Sequence, residues 1–232
     1  MNTTGINTSS RIPPYQREYC SWLYENKILS KIWDSDCLQS LMTFGNHKKL
    51  INACVEEIYP HQKALQTGAT FGSQIAAVAE RLGIYGELDI VDISPTQTRR
   101  IRNKYRFLYP SINCIKKDAL DKPTRKYDII ICYMLLHEMP IPTKAKLINL
   151  LLSCMAPGGK VVFIDYHKPA WWNPLKWIIK PFNRLYQPFA ENMWQTEIKD
   201  FVVNGGQFEW KKITYFGKMY QKLVVKRKET LY

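Results

Sequence analysis

The sequence predicts an α/β protein: a mostly parallel sheet covered by helices on both faces, with an antiparallel edge at its C-terminal end and a helical N-terminal extension. The first observation is that, from residue 64, short apolar runs alternate with polar helical stretches at the spacing of βαβ units. The second is that QFEWKKITYFG and MYQKLVVKRK alternate apolar and polar residues as paired edge strands do. The third is that residues 15–60 carry apolar positions at helical spacing.

The individual elements follow from the same patterns. The predicted parallel strands are ALQT, ELDIVDI, INCIKK, YDIIICYM and KVVFIDY, and helices are predicted between them over residues 75–82, 96–105 and 143–154. APGGK at 156–160 closes the last of these helices with a glycine turn. We divide the chain into a helical extension over residues 1–60 and a sheet domain over residues 61–232, which carries an aromatic and basic insertion at 168–195.

The composition sets the expected compartment. Six scattered cysteines without a C-x-x-C pair or zinc spacing indicate reduced thiols. No apolar run approaches the ~18 residues of a membrane-spanning helix, and MNTTGINTSSRIPPYQ lacks the apolar core of a secretory signal. We therefore expect a cytoplasmic protein. The net charge of +13 lies largely toward the C-terminal end, which suits an anionic membrane face, nucleic acid or solvated helix faces.

The stretch ALQTGATFG at residues 64–72 ends the first predicted strand with two glycines four residues apart. In a doubly wound sheet this loop lies at the carboxyl ends of the strands, where a nucleotide-like ligand binds. Gly68 permits the tight turn and Gly72 lets the next helix pack closely, while Thr70 stands where a glycine normally allows the closest approach. Alone, the loop predicts either a nucleotide site or an ordinary strand exit.

The ends of the next two strands favour the nucleotide site. Asp92 lies 24 positions after Gly68 (92 minus 68), close to the ~20-residue spacing at which an acid holds the two ribose hydroxyls. Asp118, after the third strand, can reach an adenine amino group. Each acid could instead cap a helix or start a turn, but their joint placement predicts an adenosine-shaped ligand. The predicted cofactor-binding residues are Gln66, Gly68, Thr70, Gly72, Asp92, Ile93, Asp118, Ala119 and Tyr133, the last either stacking on the cofactor or belonging to the core.

The loop also narrows the choice of cofactor. The chain lacks a G-x-x-x-x-G-K-[ST] sequence, which disfavours triphosphate binding. A cofactor without a pyrophosphate tolerates the missing middle glycine better than NAD does. We therefore predict S-adenosylmethionine.

With these residues in place, the chain resembles class I S-adenosylmethionine-dependent methyltransferases, which have a Rossmann-like sheet, over about residues 45–226. Within that superfamily it is similar to the rhodoquinone-biosynthesis methyltransferase-like proteins. The resemblance rests on FGNHKKL at 44–50, QTGATFG at 66–72, LLHEMP at 135–140, DYHKPAWWNPLKW at 165–177 and FGKMYQKLVV at 216–225.

The resemblance implies an enzyme that converts ubiquinone to rhodoquinone, with S-adenosylmethionine as amino donor and with manganese assisting. It also implies a membrane quinone as substrate. This chain has Ser73 where the branch favours an acid after the second glycine. A paralogue that acts on another quinone or on a phenol is therefore the alternative.

Two polar groups follow the fourth and fifth strands and should face the same cleft. His137 and Glu138 follow the fourth strand, and Asp165, Tyr166 and His167 follow the fifth. Such side chains can bind a divalent ion, for which we predict His137, Glu138 and His167, or supply a general base for catalysis. The plain alternative is that both histidines are hydrogen-bonded residues at a helix start and a strand end.

Residues 168–190 contain no acid, and they combine aromatic and basic residues at helical spacing. Trp171, Leu175, Ile178, Phe182, Leu185 and Phe189 form one set, and Lys176, Lys180 and Arg184 form the other. Pro174, Pro181 and Pro188 predict two or three short pieces rather than one rod. The segment predicts either a helix lying on an anionic membrane, which would place the protein peripherally on the inner membrane, or a lid or dimer contact.

Three functions are compatible with the sequence: an S-adenosylmethionine-dependent transferase acting on a membrane quinone, a conventional methyltransferase for a small phenol, quinone or lipid, and an inactive cofactor-binding module. Nucleic acid is not an expected partner. TRRIRNKYR at 98–106 is interpreted as a solvated helix face because no aromatic platform accompanies it. The oligomeric state is not predicted.

Overall fold

A seven-stranded sheet forms the centre of the protein, in the order β3-β2-β1-β4-β5-β7-β6. The computed structural model describes residues 13–14, 25–109 and 111–229. The strands are β1 Lys63–Thr67, β2 Glu87–Asp92, β3 Ile112–Lys116, β4 Tyr127–Tyr133, β5 Met155–Tyr166, β6 Phe208–Tyr215 and β7 Tyr220–Arg227. The first five pair in parallel, whereas β7 pairs antiparallel to both β5 and β6. The predicted fold class is therefore confirmed.

Helices connect the parallel strands and precede them. Their bounds are α1 Lys27–Trp33, α2 Asp36–Met42, α3 His47–Val55, α4 Gln74–Leu82, α5 Pro95–Tyr105, α6 Ile141–Ser153, α7 Lys176–Tyr186 and α8 Asn192–Gln195, with short 3-10 turns at Leu136–Glu138, Ile198–Phe201 and Gly205–Gln207. Within the described residues no helix is long and apolar enough to cross a membrane.

Two apolar cores lie on opposite faces of the sheet. One combines α3 and α4 with residues from β1, β2 and β4, and the other combines α6 with the alternate residues of β4 and β5. Strands buried on both faces consist of continuous apolar runs because neither face meets water. The IIIC run of β4, which is fully buried, shows this directly.

The start of β5 differs from the prediction. Tyr127 pairs with Met155 and Ile129 pairs with Lys160, so residues 156–159 bulge out of the ladder instead of preceding it. Gly159 lies against the strand backbone, where a Cβ would come within 2.8 Å of the Tyr127 carbonyl oxygen. The sequence correctly predicted a turn here but placed the strand after it.

The N-terminal helices of the described chain lie against the sheet domain. Gln97 Nε2 donates to Ser30 Oγ over 3.0 Å, and His47 is buried at the start of α3. The predicted helical extension is seen here as α1, α2 and α3, while residues 1–12 and 15–24 lie outside the described part of the chain.

The aromatic and basic insertion forms short pieces, as its prolines predicted, and it packs on the protein through residues outside the predicted apolar set. Ile179 and Asn183 are the buried residues of α7, whereas Ile178 and Trp171 are exposed. The exposure of Trp171 and Ile178 suits the membrane alternative for the predicted apolar stripe, and the choice between that alternative and a lid stays a prediction. Ile179 packs in the apolar cluster that contains Tyr220, and this contact determines which face of α7 is turned toward the core. The side chains of Phe182 and Leu185 lie outside the described residues.

Candidate functional site

The glycine loop leaves β1 in a conformation that depends on its two glycines. Gly68 and Gly72 have φ values of 87° and 75°, in the left-handed region that side chains disfavour. A Cβ at Gly72 would also lie 2.5 Å from Asp36 Oδ1. The turn therefore requires glycine at both positions, as the sequence predicted for a tight loop.

Gln66 and Thr70 support this loop from within. The side-chain amides of Gln66 and Gln74 exchange hydrogen bonds of 2.9 and 3.1 Å, and Thr70 Oγ1 donates to Gln74 Oε1 over 2.6 Å. Gln66 is fully buried. The structure thus assigns it a supporting role beneath the loop, and its predicted contact with the cofactor stays a prediction.

Asp92 joins the end of β2 to the glycine loop. Its Oδ2 accepts from the Ala69 amide over 2.7 Å, and its Oδ1 accepts from the Ser94 amide over 2.8 Å. Each carboxylate oxygen keeps a second lone pair that can accept a further hydrogen bond. Burial raises the pKa of Asp92, although these two amides and the charge of Arg100 oppose the rise. The next residue, Ile93, is buried.

Asp118 and Ala119 follow β3 and lie beside the end of β2. The Lys117 amide donates to the Asp92 carbonyl over 3.1 Å, and Asp118 Oδ1 accepts from the Leu120 amide over 2.9 Å. Asp118 therefore starts a turn, which was the plain alternative. The Lys117 contact keeps the start of this turn at the end of β2, and the predicted contact of Asp118 with a nucleoside stays a prediction.

Two acids from the N-terminal helices bind the start of α4, and no sequence pattern marks them. Asp34 Oδ1 accepts from the Gly72 amide over 2.8 Å, and Asp36 Oδ1 accepts from the Ser73 amide over 2.7 Å. These amides begin the helix and would otherwise attract an anionic ligand. His47 Nε2, from the FGNHKKL motif, lies 3.0 Å from Asp36 Oδ1.

Two arginines of the basic stretch on α5 contact the glycine loop and β3. Arg100 Nη1 lies 2.7 Å from Asp34 Oδ1, and Arg100 Nη2 donates to the Thr70 carbonyl over 2.7 Å. Arg102 donates to the Cys114 carbonyl of β3 over 2.7 Å. The interpretation as a solvated helix face is wrong for Arg100, whose side chain is only 12% exposed, whereas Arg102 is exposed as expected and still holds a backbone carbonyl.

His137 and Asp165 form a buried pair at the ends of β4 and β5. His137 Nδ1 lies 2.9 Å from Asp165 Oδ1, and the Leu136 amide donates to Asp165 Oδ2 over 2.7 Å. Asp165 is completely buried and His137 nearly so. Burial lowers the pKa of His137, but the charge and hydrogen bond of Asp165, with a contribution from Glu138, outweigh it, so the pKa is raised overall.

Aromatic rings border this pair. The Tyr166 ring centroid lies 4.5 Å from that of His137 and 5.6 Å from that of Tyr220. Burial raises the pKa of Tyr166 well above its usual value, so its phenol stays protonated. Tyr133 is buried in the core cluster of the sheet, which fits the core alternative for this residue.

His167 points to a different set of partners. Its Nδ1 lies 2.9 Å from the Lys218 carbonyl, and its Nε2 lies 2.8 Å from Lys212 Nζ and 3.4 Å from Glu197 Oε1. Among the described side chains, no three His, Cys, Asp or Glu residues form a group that could hold a metal ion. The predicted set of His137, Glu138 and His167 is therefore not assembled, because separate hydrogen bonds hold each histidine. The residues present do not fit manganese.

Comparison with known proteins identifies the type of domain. Residues 64–159 match the family model described as a methyltransferase domain. The ubiquinone/menaquinone biosynthesis C-methyltransferase UbiE of Pasteurella multocida is 24% identical over 178 residues, which cover 74% of this chain and 62% of that protein. The UbiE protein of Idiomarina loihiensis is 25% identical over 140 residues, 58% of this chain and 55% of that protein. The chain thus spans less than two thirds of the length of these relatives.

Solved structures show the same fold. A SAM-dependent methyltransferase from Aquifex aeolicus matches with a TM-score of 0.61 at 15% identity, covering 86% of this chain and 97% of that one. Human N-acetylserotonin methyltransferase in complex with SAM matches with a TM-score of 0.62 at 17% identity, covering 94% of this chain and 61% of that one. At these identities the likeness shows the fold alone.

Proposed function

We propose that this chain, whose residues 64–159 match a methyltransferase domain, is a class I S-adenosylmethionine-dependent methyltransferase that transfers a methyl group to the ring of a quinone-type substrate. The observation that carries this proposal is the His137–Asp165 pair, which lies at the end of the strand beside the glycine loop. The quinone part of the proposal is supported by the similarity to quinone C-methyltransferases.

The donor set suits S-adenosylmethionine better than a dinucleotide. Asp34 and Asp36 already occupy the amides of Gly72 and Ser73, so a phosphate at this helix start would meet two carboxylates. S-adenosylmethionine brings a sulfonium and an ammonium group, which these acids favour. The remaining lone pairs of Asp92 would accept the ribose hydroxyls, and Asp118 would face the adenine.

The bound cofactor would supply an electrophilic methyl group. His137 would remove a proton from a ring hydroxyl of the substrate through Nε2, because Nδ1 is directed at Asp165. The oxyanion so formed makes the adjacent ring carbon nucleophilic. That carbon would accept the methyl group, with S-adenosylhomocysteine as the leaving group. The displaced ring hydrogen would leave as a proton to solvent, and His137 would return its proton to the ring oxygen. Asp165 stabilises the protonated imidazole.

The alternative is that the enzyme uses S-adenosylmethionine as an amino donor and converts ubiquinone to rhodoquinone. The five motifs shared with the rhodoquinone branch support it. Ring methylation is the leading proposal because the curated relatives are quinone C-methyltransferases. Aminated quinone is the product that would overturn it.

A membrane surface is the proposed location of the reaction. Trp171, Trp172 and Trp177 are 84%, 62% and 71% exposed, and they are next to the basic residues Lys176 and Lys180. Tryptophan and basic side chains together suit the interface of an anionic bilayer. A substrate with a prenyl tail would be reached from that surface.

The quinone content of cells with and without the protein tests the function. Extracted quinones are separated and identified by mass spectrometry, and a His137→Ala variant serves as the matched control. We expect one quinone to gain a single methyl group only in cells with the wild-type protein. An aminated quinone would establish the alternative, and an unchanged quinone pool would contradict both.

A further inference from the structure

Most of the buried polar atoms without partners belong to two parts of the described chain, the segment after β5 and strand β7. Among the described residues, six buried side-chain nitrogen and oxygen atoms lack a hydrogen-bond partner. Arg100 Nη1 is one of them, but it lies 2.7 Å from Asp34 Oδ1 as an ion pair. The other five atoms belong to the segment after β5 or to β7: Asn183 Nδ2 and Oδ1, Gln187 Oε1, Glu191 Oε1 and Gln221 Oε1. Because each unpaired buried atom destabilises a fold, their grouping points to a missing partner.

The segment that carries these atoms lies over the strand ends. Lys144 Nζ donates to the Phe189 carbonyl over 3.4 Å, and Met193 belongs to the same apolar cluster as Leu136. The short helix α8 packs on the 3-10 turn that contains His137. Residues 183–195 therefore form a cover beside the His137–Asp165 pair.

Asn183 is the clearest case. It is 1% exposed in the interior of α7, and neither polar atom of its side chain has a partner among the described residues. Leucine has nearly the same size and forms helices better. Packing alone would thus favour leucine at this position, and the amide is better explained by a ligand.

Gln221, on β7, is a second buried amide with an unpaired atom. It pairs with Asp165 across β5 and β7, and its Nε2 donates to the Tyr166 carbonyl over 2.8 Å. This bond fixes the orientation of the amide, so the unpaired atom is the acceptor Oε1. Gln221 thus lies opposite Asp165, the hydrogen-bond partner of the proposed base.

The chemistry of the unpaired atoms defines the ligand. Four are oxygen acceptors, from Asn183, Gln187, Glu191 and Gln221, and one is the Asn183 amide donor. Lys144, fully buried below the segment, adds an ammonium group whose only hydrogen-bond partner among the described residues is the distant Phe189 carbonyl. Because four of the unpaired atoms are acceptors, the ligand must donate hydrogen bonds to them. The Asn183 amide and the Lys144 ammonium are donors, so the ligand must also offer oxygen atoms that accept hydrogen bonds. A ring bearing hydroxyl groups meets both conditions.

We propose that Asn183, Gln187, Glu191 and Gln221 form a hydroxyl-recognition wall that determines which ring the enzyme accepts, with Lys144 facing a ring oxygen. This inference rests on the proposed function, since it places the substrate ring between the wall and His137. A site built to pair with a hydroxyl rejects rings that lack it, because its own buried groups are then left unpaired.

The test uses the full-length protein and a short-chain prenylated 1,4-benzohydroquinone. Asn183→Leu is compared with the wild type and with Gln195→Leu, an exposed amide on the same segment. The thermal midpoint, the affinity for S-adenosylhomocysteine and the affinity for the hydroquinone in its presence are measured for each. We expect Asn183→Leu to raise the midpoint, to leave the first affinity unchanged and to lower the second at least tenfold. Gln195→Leu should change none of them.

The outcomes separate the wall from the proposed function. A lower midpoint for Asn183→Leu, or a higher one with undiminished hydroquinone affinity, would overturn the wall. If that variant does not fold, the same criteria apply to Gln187→Leu. A wild type that binds the hydroquinone without methylating it contradicts the proposed function alone. A wild type that binds no hydroxylated ring contradicts both.

Discussion

The carboxylate of Asp34 accepts a hydrogen bond of 2.8 Å from the amide of Gly72, so an acid between the first two N-terminal helices occupies the last amide of the glycine loop. Asp34 also pairs with Arg100 and Lys104, and Asp36 holds the next amide. The N-terminal helical region therefore supports the glycine loop directly.

Replacing Asp34 should loosen this loop. Asp34→Ala leaves Arg100 with a largely buried, unpaired charge, which should lower the free energy of unfolding by on the order of 3 kcal/mol. Thermal denaturation measures the change, and the affinity for S-adenosylmethionine should fall with it. Glu209→Gln, at an exposed residue of β6, is the charge-matched control. A variant as stable as that control would show that the Asp34 contacts add nothing.

Asp92 should contribute directly to cofactor affinity. Asp92→Ala removes the acceptors for the ribose hydroxyls and should weaken binding of S-adenosylmethionine by about 1.5–3 kcal/mol, roughly ten- to a hundredfold. Titration calorimetry measures it, and Asp121→Ala, in the neighbouring loop, controls for loss of a negative charge. Unchanged affinity with Asp92→Ala would remove this residue from the site.

The pH dependence of the rate should report the His137–Asp165 pair. The raised pKa of His137 means that the protonated form is favoured below the ordinary value of about 6.5 and persists above it. A base must be unprotonated, so kcat/KM should rise with pH through a midpoint above 6.5. Stability contributed by the protonated histidine is lost over the same rise. Asp165→Asn removes the charge that raises the pKa, so its midpoint should move to lower pH.

The controls for this profile are available in the same chain. His61→Asn changes an exposed histidine and should leave the midpoint in place. Binding of S-adenosylmethionine by Asp165→Asn confirms that this variant is folded. A profile that is identical in wild type and Asp165→Asn would exclude His137 as the base.

The basic residues of α7 should determine membrane association. Changing Lys176, Lys180 and Arg184 to Gln should lower binding to anionic vesicles by roughly 1 kcal/mol for each residue near the surface. Sedimentation with vesicles measures the loss, and the triple variant Lys146, Lys211 and Lys226 to Gln carries the same charge change elsewhere. Equal sedimentation of both triple variants would favour the lid interpretation of this segment.

The sequence predicted the sheet because the alternation of apolar strands and polar helices is a local signal. The five parallel strands, the antiparallel edge and the positions of Gly68, Asp92 and His137 at strand ends all follow from it. The contacts of Asp34 do not, because they join residues 38 positions apart and no periodic pattern marks them.

The sequence also could not predict which face of α7 packs against the protein. A helical wheel groups Ile178 with the apolar residues, but the side of α7 that faces the protein is set by the turn at residues 170–175 and by the cluster around Tyr220. Those contacts are tertiary. For the same reason the sequence could place Asp165, Tyr166 and His167 at one strand end without showing that His167 pairs with Lys212 and Glu197.

Methyl transfer by the purified protein is the decisive measurement for the proposed role of His137. Wild type and His137→Ala are incubated with methyl-deuterated S-adenosylmethionine and a short-chain prenylated hydroquinone, and the ring product is analysed by mass spectrometry. We expect a product with one intact deuterated methyl group on a ring carbon from the wild type and far less from the variant, with cofactor affinity retained in both. The proposed function would be contradicted if the wild type bound S-adenosylmethionine but formed no ring product with the deuterated methyl group. It would also be contradicted if His137→Ala were equally active.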